Sequence, residues 1–270
     1  MRWPLARWEE LPDDLRVPEV RPYWEALDAK LPQLAAKRVF DLAAGTALLV
    51  TLSPAMLAIG AAVTLDSPGG PFFRQERVTQ YGRRFRIHKF RTMVAGADRM
   101  GAHVTSEGDA RITRMGELLR RFRLDELPQL IDILAGDMSF VGTRPEVPEY
   151  VDIYEPEWRA TLLLPAGVTS EASIAFKDED ALMAGAEDKN LAYITRVLPE
   201  KMQLNLGSIK SFSFCSDIRT MLRTVAAVVQ RDSDDEEPAD APTYLQYVGE
   251  GQVIPEEPTF GEGTEHAWAT

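Results

Sequence analysis

The feature that most constrains this chain is an apolar run of 24 residues without a charge, from Leu42 to Leu65. As a single α-helix the run would be about 36 Å long at ~1.5 Å per residue, and the hydrocarbon core of a bilayer is ~30 Å thick. The run is therefore long enough to cross a membrane. Its length alone indicates a straight transmembrane span, and the buried core helix of a soluble protein is the other simple interpretation.

A proline near the middle of the run argues against a straight span. Pro54 lacks the N–H that would bond to the carbonyl of Val50, and its ring collides with that carbonyl. The hydroxyl of Ser53 is placed to cap the loosened turn. Each arm of the run is then only about 18 Å long at ~1.5 Å per residue, which is enough to pass the middle of the bilayer and return.

Charges at the two ends of the run lead to the same conclusion. Lys37 and Arg38 precede it, and seven arginines and lysines follow it between Arg74 and Arg91. Because cationic flanks mark the cytoplasmic side of a membrane, basic residues at both ends predict a helix that enters and leaves by that side. Residues 37–65 are therefore predicted to form one re-entrant membrane helix, with its break at the Ser-Pro pair.

A short hairpin is predicted after the membrane segment. Residues 72–78 and 84–90 read as two strands in which apolar and basic side chains alternate. The second strand ends with Lys89 and Arg91, which puts two cations at a strand end. This surface is expected to face lipid headgroups, a substrate phosphate, or both, and a solvated basic face is the alternative. His88 lacks a ligand-spaced partner and is expected to be an ordinary structural residue.

Two adjacent carboxylates, Asp125 and Glu126, lead into an apolar helix. Apolar residues recur at helical spacing between Leu124 and Leu134, and Gly136 is predicted to end the helix. The pair thus lies at a helix N-terminus, where free N–H groups and the helix dipole favour negative charge. A phosphate ester could sit there if arginines or a divalent cation offset the repulsion. From the spacing alone, an N-cap and a dipole-compensating acid are the alternative interpretation.

Arginines reach this region from two sides. An amphipathic helix capped by Thr113 ends in Arg120 and Arg121, just before the acidic pair. A tight loop after the next helix supplies Arg144. Arginine suits phosphate recognition because its planar fork donates two hydrogen bonds at once.

Several blocks in this order resemble the bacterial sugar transferase family, the monotopic phosphoglycosyl transferases. After the basic-flanked run with its central Ser-Pro come Phe-Arg-Gln-Glu-Arg at 73–77, Lys-Phe-Arg-Thr-Met at 89–93 and Arg-Ile-Thr at 111–113. Leu-Asp-Glu-Leu-Pro-Gln-Leu at 124–130 and Gly-Asp-Met-Ser-Phe-Val-Gly at 136–142 follow. Any one block is weak, but the ordered set is specific and covers roughly residues 37–225.

The resemblance implies a fold and an activity. The expected fold is α+β and mainly helical, with a re-entrant helix, a small β-hairpin and a catalytic domain on the cytoplasmic face of the inner membrane. The expected reaction moves a sugar 1-phosphate from a nucleotide diphosphate sugar, with UDP as the expected nucleotide, to a polyprenyl phosphate such as undecaprenyl phosphate. It would proceed through an aspartyl phosphosugar intermediate and begin the assembly of a bacterial polysaccharide or glycoconjugate.

The resemblance also implies roles for single residues. Asp125 would be the nucleophile, and Glu126 would help to hold a magnesium ion, with Asp125 as a further ligand. Cations at matching positions would line the site and bind phosphates or headgroups: Lys89, Arg91, Arg111, Arg120 and Arg144. The chain departs from the family pattern at Arg123, where serine is usual, and at Asp132, where asparagine is usual, so the identity of the sugar stays open.

The remaining segments complete the predicted organisation. Residues 1–36 are an N-terminal extension that either lies as an amphipathic segment at a membrane surface or forms a loose appendage. Residues 66–230 are predicted to be the catalytic domain. Residues 231–270 form a tail in which the stretch from Asp232 to Thr270 holds eleven acidic and no basic residues, so nearly all of the net charge of −12 lies there, and the tail is expected to be disordered. The single cysteine, Cys215, excludes an internal disulfide and is expected to be buried.

Two other functions remain open from the sequence. One is a catalytically silent membrane adaptor that recruits glycan-assembly proteins, and the other is a basic module that only binds lipid headgroups. Adjacent acids among cations disfavour both, because a binding surface has no use for them. The expected partners are the nucleotide sugar, the polyprenyl phosphate and membrane phospholipids, but no nucleic acid. A homodimer and contacts with other glycan-assembly enzymes are open alternatives.

Overall fold

The computed structural model describes residues 5–97, 109–176 and 188–230, so the predicted acidic tail lies outside the described residues. The described chain is mainly helical, as predicted for the fold class, and contains two small two-stranded sheets. Its helices are α1 (Arg21–Asp28), α2 (Leu31–Asp66), α3 (Arg114–Arg121), α4 (Gln129–Ala135), α5 (Pro148–Asp152), α6 (Glu171–Ala175), α7 (Lys189–Ala192), α8 (Leu198–Lys210) and α9 (Phe214–Gln230). Its strands are β1 (Phe72–Thr79), β2 (Arg83–Phe90), β3 (Met138–Val141) and β4 (Ala166–Thr169).

Helix α2 contains the whole apolar run and continues through Pro54. By length and composition it is long and apolar enough to cross a membrane, and only 6% of its most apolar window is buried inside the protein. A core helix of a soluble protein would be mostly buried, so that interpretation is not supported. The Ser53 hydroxyl donates to the carbonyl of Val50 at 2.8 Å, which confirms the cap predicted for the turn that proline loosens.

Both ends of α2 are attached to the same folded unit. Near its start, Lys37 Nζ donates to the carbonyl of Val141 at 2.8 Å and forms a buried ion pair with Asp217 at 2.5 Å. At its end, the Asp66 carboxylate accepts a hydrogen bond from the backbone N–H of Met115 at 3.0 Å. The helix is therefore held at both ends by the described folded unit.

The predicted hairpin is present, with β1 and β2 antiparallel and Phe73 paired with Lys89. Phe85 and Ile87 point inward from β2 into a core with Ile133 of α4. Leu49 and Leu52 of α2 pack against this core, which fixes the apolar helix to the hairpin and α4. A second core joins the end of α2 to β2 and α3 through Val63, Phe90 and Leu119.

A second sheet, which the sequence did not predict, pairs β3 with β4 in parallel. Gly142, which follows β3, lies very close to Gly167 of β4. A Cβ on Gly167 would lie 2.2 Å from backbone atoms of Gly142. Only glycine allows backbones to approach so closely. The contact fixes the loop that leads from β3 to Arg144.

The N-terminal segment packs on the folded unit. Leu15, Val20 and Leu27 are buried, and the Tyr23 hydroxyl donates to Glu157 at 2.5 Å. These three apolar side chains are covered by the protein itself, whereas Trp8, Trp24 and Leu31 are only partly buried. The prediction for Cys215 was wrong, because this cysteine is exposed on α9.

Candidate active site

The acidic pair lies in a short turn between α3 and α4. Helix α3 begins at the Thr113 cap, whose hydroxyl accepts a hydrogen bond from the N–H of Gly116, as predicted. Arg123 then adopts a left-handed backbone with φ of 52°, and one 3₁₀ turn carries Asp125 and Glu126. A non-glycine residue in this conformation costs on the order of 1 kcal/mol or more, and such strain concentrates at functional sites.

Two cations from different parts of the chain meet Glu126. Arg144 Nη2 donates to Glu126 Oε1 at 2.5 Å, and Lys89 Nζ donates to the same oxygen at 3.1 Å. Burial alone would raise the pKa of Glu126, but the charges of Arg144 and Lys89 outweigh it and hold that pKa well below its usual range. Glu126 is therefore ionised at neutral pH.

Asp125 has the opposite electrostatic character. Its residue surface is only 9% exposed, and burial together with the charge of Glu126 raises its pKa above the usual range, although Lys89 opposes the shift. Among the described residues, no hydrogen bond reaches its carboxylate. Adjacent acids whose pKa values are displaced in opposite directions are typical of reacting groups with different tasks.

A further cation, Arg77, lies close to Arg144 and Lys89. Arg77 on β1 donates to the carbonyl of Pro145 at 3.0 Å and to Gln75 at 2.7 Å. Its Nε is buried without a hydrogen-bond partner in the described structure. Burial lowers the pKa of Lys89, and Arg144 and Arg77 add to that effect while Glu126 opposes it. Arg77 was recognised in the sequence only as one of several flanking cations.

Arg120 and Arg111, two other predicted cations, differ in their relation to the acids. Arg120 donates from Nε to the hydroxyl of Thr92 at 3.0 Å, and its charge opposes the rise in the pKa of Asp125 that burial causes. Arg111 is held by Asp109 at 2.6 Å and donates to the carbonyl of Ala97. Within the described structure, none of the hydrogen bonds of Arg111 reaches the acidic pair.

Arg91 binds elsewhere. Its buried guanidinium donates to the Ser67 carbonyl at 2.8 Å, to the Ser67 hydroxyl at 2.7 Å and to the Gly70 carbonyl at 2.8 Å. These acceptors belong to the turn between α2 and β1. In the described part of the chain, no hydrogen bond joins Arg91 to Asp125 or Glu126, so the structure does not bring it to the pair.

A cavity of about 250 Å³ opens beside Glu126. Sequence reasoning missed this feature, because its walls come from segments far apart in the chain. Arg121, Arg123 and Glu126 contribute charged groups to the lining. Most other lining residues are apolar and come from α2, α4, β3, β4, α6 and α9.

Residues 32–231 match the family model described as bacterial sugar transferase. The chain is 34% identical over 209 residues to a UDP-glucose:undecaprenyl-phosphate glucose-1-phosphate transferase of Caulobacter vibrioides, covering 75% of this chain and 74% of that protein. It is 34% identical over 196 residues to a UDP-N-acetylgalactosamine-undecaprenyl-phosphate N-acetylgalactosaminephosphotransferase of Aeromonas hydrophila, covering 72% of this chain and 43% of that protein.

A third relative has a similar relation to the chain. It is a UDP-glucose:undecaprenyl-phosphate glucose-1-phosphate transferase of Escherichia coli, 32% identical over 194 residues, covering 70% of this chain and 39% of that protein. The chain thus spans less than half the length of the Aeromonas and Escherichia proteins.

Proposed function

Because this chain belongs to the bacterial sugar transferase family, we propose that it transfers a sugar 1-phosphate from a UDP-sugar to undecaprenyl phosphate. The three relatives carry names of this reaction class, two with glucose and one with N-acetylgalactosamine. The observation that carries the proposal is the pairing of Glu126 with both Arg144 and Lys89 beside Asp125. That arrangement is expected of a site that receives a diphosphate next to a carboxylate nucleophile.

The first half of the proposed reaction uses Asp125. A carboxylate oxygen attacks the sugar-bearing phosphorus, and the bond from that phosphorus to the bridging oxygen breaks. The electron pair leaves with the bridging oxygen as UMP, and an aspartyl phosphosugar remains. Lys89 and Arg144 lie where their charges reduce the repulsion between the attacking carboxylate and the diphosphate.

The second half returns the carboxylate. An oxygen of undecaprenyl phosphate attacks the phosphorus of the aspartyl phosphosugar, and the bond to the Asp125 oxygen breaks. The product is undecaprenyl diphosphate sugar. Because both steps displace an oxygen at the same phosphorus, one set of cations serves the two anionic substrates in turn.

The donor set fits a magnesium ion only together with substrate. Magnesium is usually held by one or two carboxylates, substrate phosphates and water. No cluster of three or more acidic, histidine or cysteine side chains that could hold a metal occurs among the described residues, but Asp125 and Glu126 supply two adjacent carboxylates. Lys89 and Arg144 both address Oε1 of Glu126, and no hydrogen bond of the described chain uses Oε2. We propose that Asp125 and Glu126 hold magnesium, which would neutralise the diphosphate when bound.

We also propose that α2 is re-entrant and that residues 66–230 form a catalytic domain on the cytoplasmic face of the inner membrane. The attachment of Lys37 to Asp217 and of Asp66 to the N–H of Met115 supports this topology, because both ends of α2 are held by one unit. The proposed acceptor is a lipid phosphate, so a site held at the headgroup plane brings the two together.

The test is a purified full-length enzyme assay with undecaprenyl phosphate, magnesium and a panel of UDP-sugars. We expect release of UMP with one or few sugars, dependence on magnesium, and loss of turnover in Asp125→Asn. An exposed-acid variant, Asp152→Asn, serves as the matched control. Exchange of labelled UMP into the donor by Asp125→Asn at the wild-type rate would exclude the covalent route, and absence of UMP release with every donor would exclude the function.

A further inference from the structure

The cavity beside Glu126 has the size of an apolar binding site. Its volume is about 250 Å³, and an apolar cavity of ~150 Å³ already binds benzene. Leu52 of α2, Val168 of β4, Ile174 of α6 and Ala227 of α9 contribute to its walls. A branched hydrocarbon segment of several carbon atoms fits such a space, because burial of apolar groups against these walls is favourable.

The charged lining is confined to one short segment of the chain. Arg121, Arg123 and Glu126 lie within six residues, next to Asp125, whereas the apolar lining comes from other elements. The hydroxyls of Thr169 and Thr224, which also line the cavity, are bonded to each other at 2.7 Å. The cavity is therefore suited to an amphiphile with an anionic end near the arginines and an apolar body.

One cavity wall is shared with the surface of α2. Leu48 lines the cavity and is also 41% exposed on the apolar helix. A lipid chain lying against α2 could therefore enter the cavity without crossing water. The nucleoside and the sugar of the donor are polar and do not reach the cavity along a lipid-facing helix. Against aliphatic walls their polar groups would be left without hydrogen bonds.

We propose that this cavity binds the phosphate-proximal part of the isoprenoid chain of the acceptor, with the acceptor phosphate beside Arg121 and Arg123. The inference rests on the proposed function and specifies how the same site takes its second substrate. The donor would approach Asp125 from the side of Lys89 and Arg144. The isoprenoid chain would then occupy the cavity, while the phosphates of the two substrates use the neighbouring cations in turn.

Filling the cavity tests the proposal. We expect Leu52→Trp and Ala227→Trp to raise the KM for undecaprenyl phosphate by roughly tenfold or more, because the ring occupies space that the chain needs. Exchange of UMP into the donor, which needs no acceptor, should change by less than about twofold. The matched controls are Leu57→Trp on α2, where the side chain is 77% exposed, and Val225→Trp on α9, where it is 62% exposed. Both controls should behave like the wild type.

A binding measurement keeps the test independent of turnover. A prenyl phosphate with a diazirine near its phosphate should crosslink to residues of α2 or α9, and Leu52→Trp should reduce that crosslinking several-fold relative to Leu57→Trp. Equal acceptor KM and equal crosslinking in cavity and control variants would overturn the inference while leaving the proposed function intact. Competition by phospholipid as strong as by prenyl phosphate would also overturn it, because the cavity would then be a general lipid site. If no donor releases UMP, the proposed function fails, and the crosslinking still decides whether the cavity binds a prenyl phosphate.

Discussion

Asp132 forms two hydrogen-bonded contacts with the same residue, His88. The backbone N–H of His88 lies 2.9 Å from Asp132 Oδ2, and the ring Nδ1 lies 2.6 Å from Oδ1. Asp132 is only 1% exposed. Burial raises its pKa, and the two contacts with His88 oppose that shift. Since His88 precedes Lys89, the contact ties strand β2 to helix α4 next to the Lys89 and Glu126 pair.

Removal of this contact should weaken both the fold and the site. We expect Asp132→Ala to lower the free energy of unfolding by about 1–3 kcal/mol, because it leaves two partly buried groups of His88 without their hydrogen-bond partner. It should also lower kcat, because Lys89 is then less firmly placed against Glu126. Asp132→Asn keeps an acceptor for the backbone N–H and should retain more of both. Denaturant unfolding and steady-state kinetics measure the effects, with exposed Asp152→Ala as control. Unchanged kcat in folded Asp132→Ala would show that the pair does not position Lys89.

Arg144 should be among the most sensitive cations of the site. We expect Arg144→Ala to lower kcat by about 10²–10³-fold, because one fixed charge beside the reacting diphosphate is lost. The pKa of Glu126 should rise, since the charge of Arg144 is the largest influence that lowers it. Arg144→Lys should be intermediate, because lysine lacks the planar fork. Arg159→Ala, which breaks a partly exposed pair with Asp14, is the control. Equal kcat in the two alanine variants would show that Arg144 does not take part in the reaction.

Arg91 should act mainly on the fold. It donates to several acceptors of the turn after α2, including the carbonyl and hydroxyl of Ser67. We expect Arg91→Ala to lower the free energy of unfolding by roughly 3 kcal/mol, because buried carbonyls lose charged donors. Lys89→Ala, in contrast, should lower kcat in protein that is fully folded. The comparison needs unfolding curves and activity per folded molecule. A loss of activity in folded, stable Arg91→Ala would show that Arg91 acts in the site, as the family resemblance implies.

The contrast between Lys89 and Arg91 shows what sequence patterns can and cannot predict. Alternation predicted the hairpin, and residues two apart in a strand share a face. Strand β2 ends at Phe90, however, so the rule does not extend to Arg91. The Thr113 cap and the helix end at Gly136 depend on local backbone chemistry and were predicted from neighbouring residues.

Long-range contacts were not predictable in the same way. The parallel sheet of β3 and β4 consists of two strands of four residues each, which is too short for a reliable period. Lys89, Glu126 and Arg144 come from three segments that are far apart in the sequence. Their separation along the chain does not predict that they lie close together in space. Adjacent acids among arginines, together with the family resemblance, nevertheless predicted the charge pattern of the site.

The docking of the N-terminal segment should depend on alkaline pH through Tyr23. Burial, the hydrogen bond to Glu157 and the charge of Glu157 raise the pKa of Tyr23 to about 12. The folded state thus favours the neutral phenol, so this contribution to stability is present below the unfolded pKa of ~10 and is lost as pH rises from there toward the folded value. Tyr23→Phe should lower the unfolding midpoint at pH 8, and its difference from the wild type should shrink above pH ~10. A constant difference across that window would show that the hydroxyl is not the cause.

The topology of α2 can be decided by labelling single cysteines. Because Cys215 is exposed, the background is Cys215→Ser. Asp28→Cys and Gly70→Cys place thiols at exposed positions before and after α2, and a side chain at Gly70 meets no atom within 4 Å. A re-entrant helix puts both on the cytoplasmic side, so a membrane-impermeant maleimide should label both in inside-out vesicles and neither in intact spheroplasts. Leu57→Cys, exposed on the apolar face, should resist the reagent in both preparations because lipid covers it.

Labelling of Asp28→Cys and Gly70→Cys from opposite sides would show a straight span. The attachments of Lys37 to Asp217 and of Asp66 to the N–H of Met115 could not then both persist in the membrane.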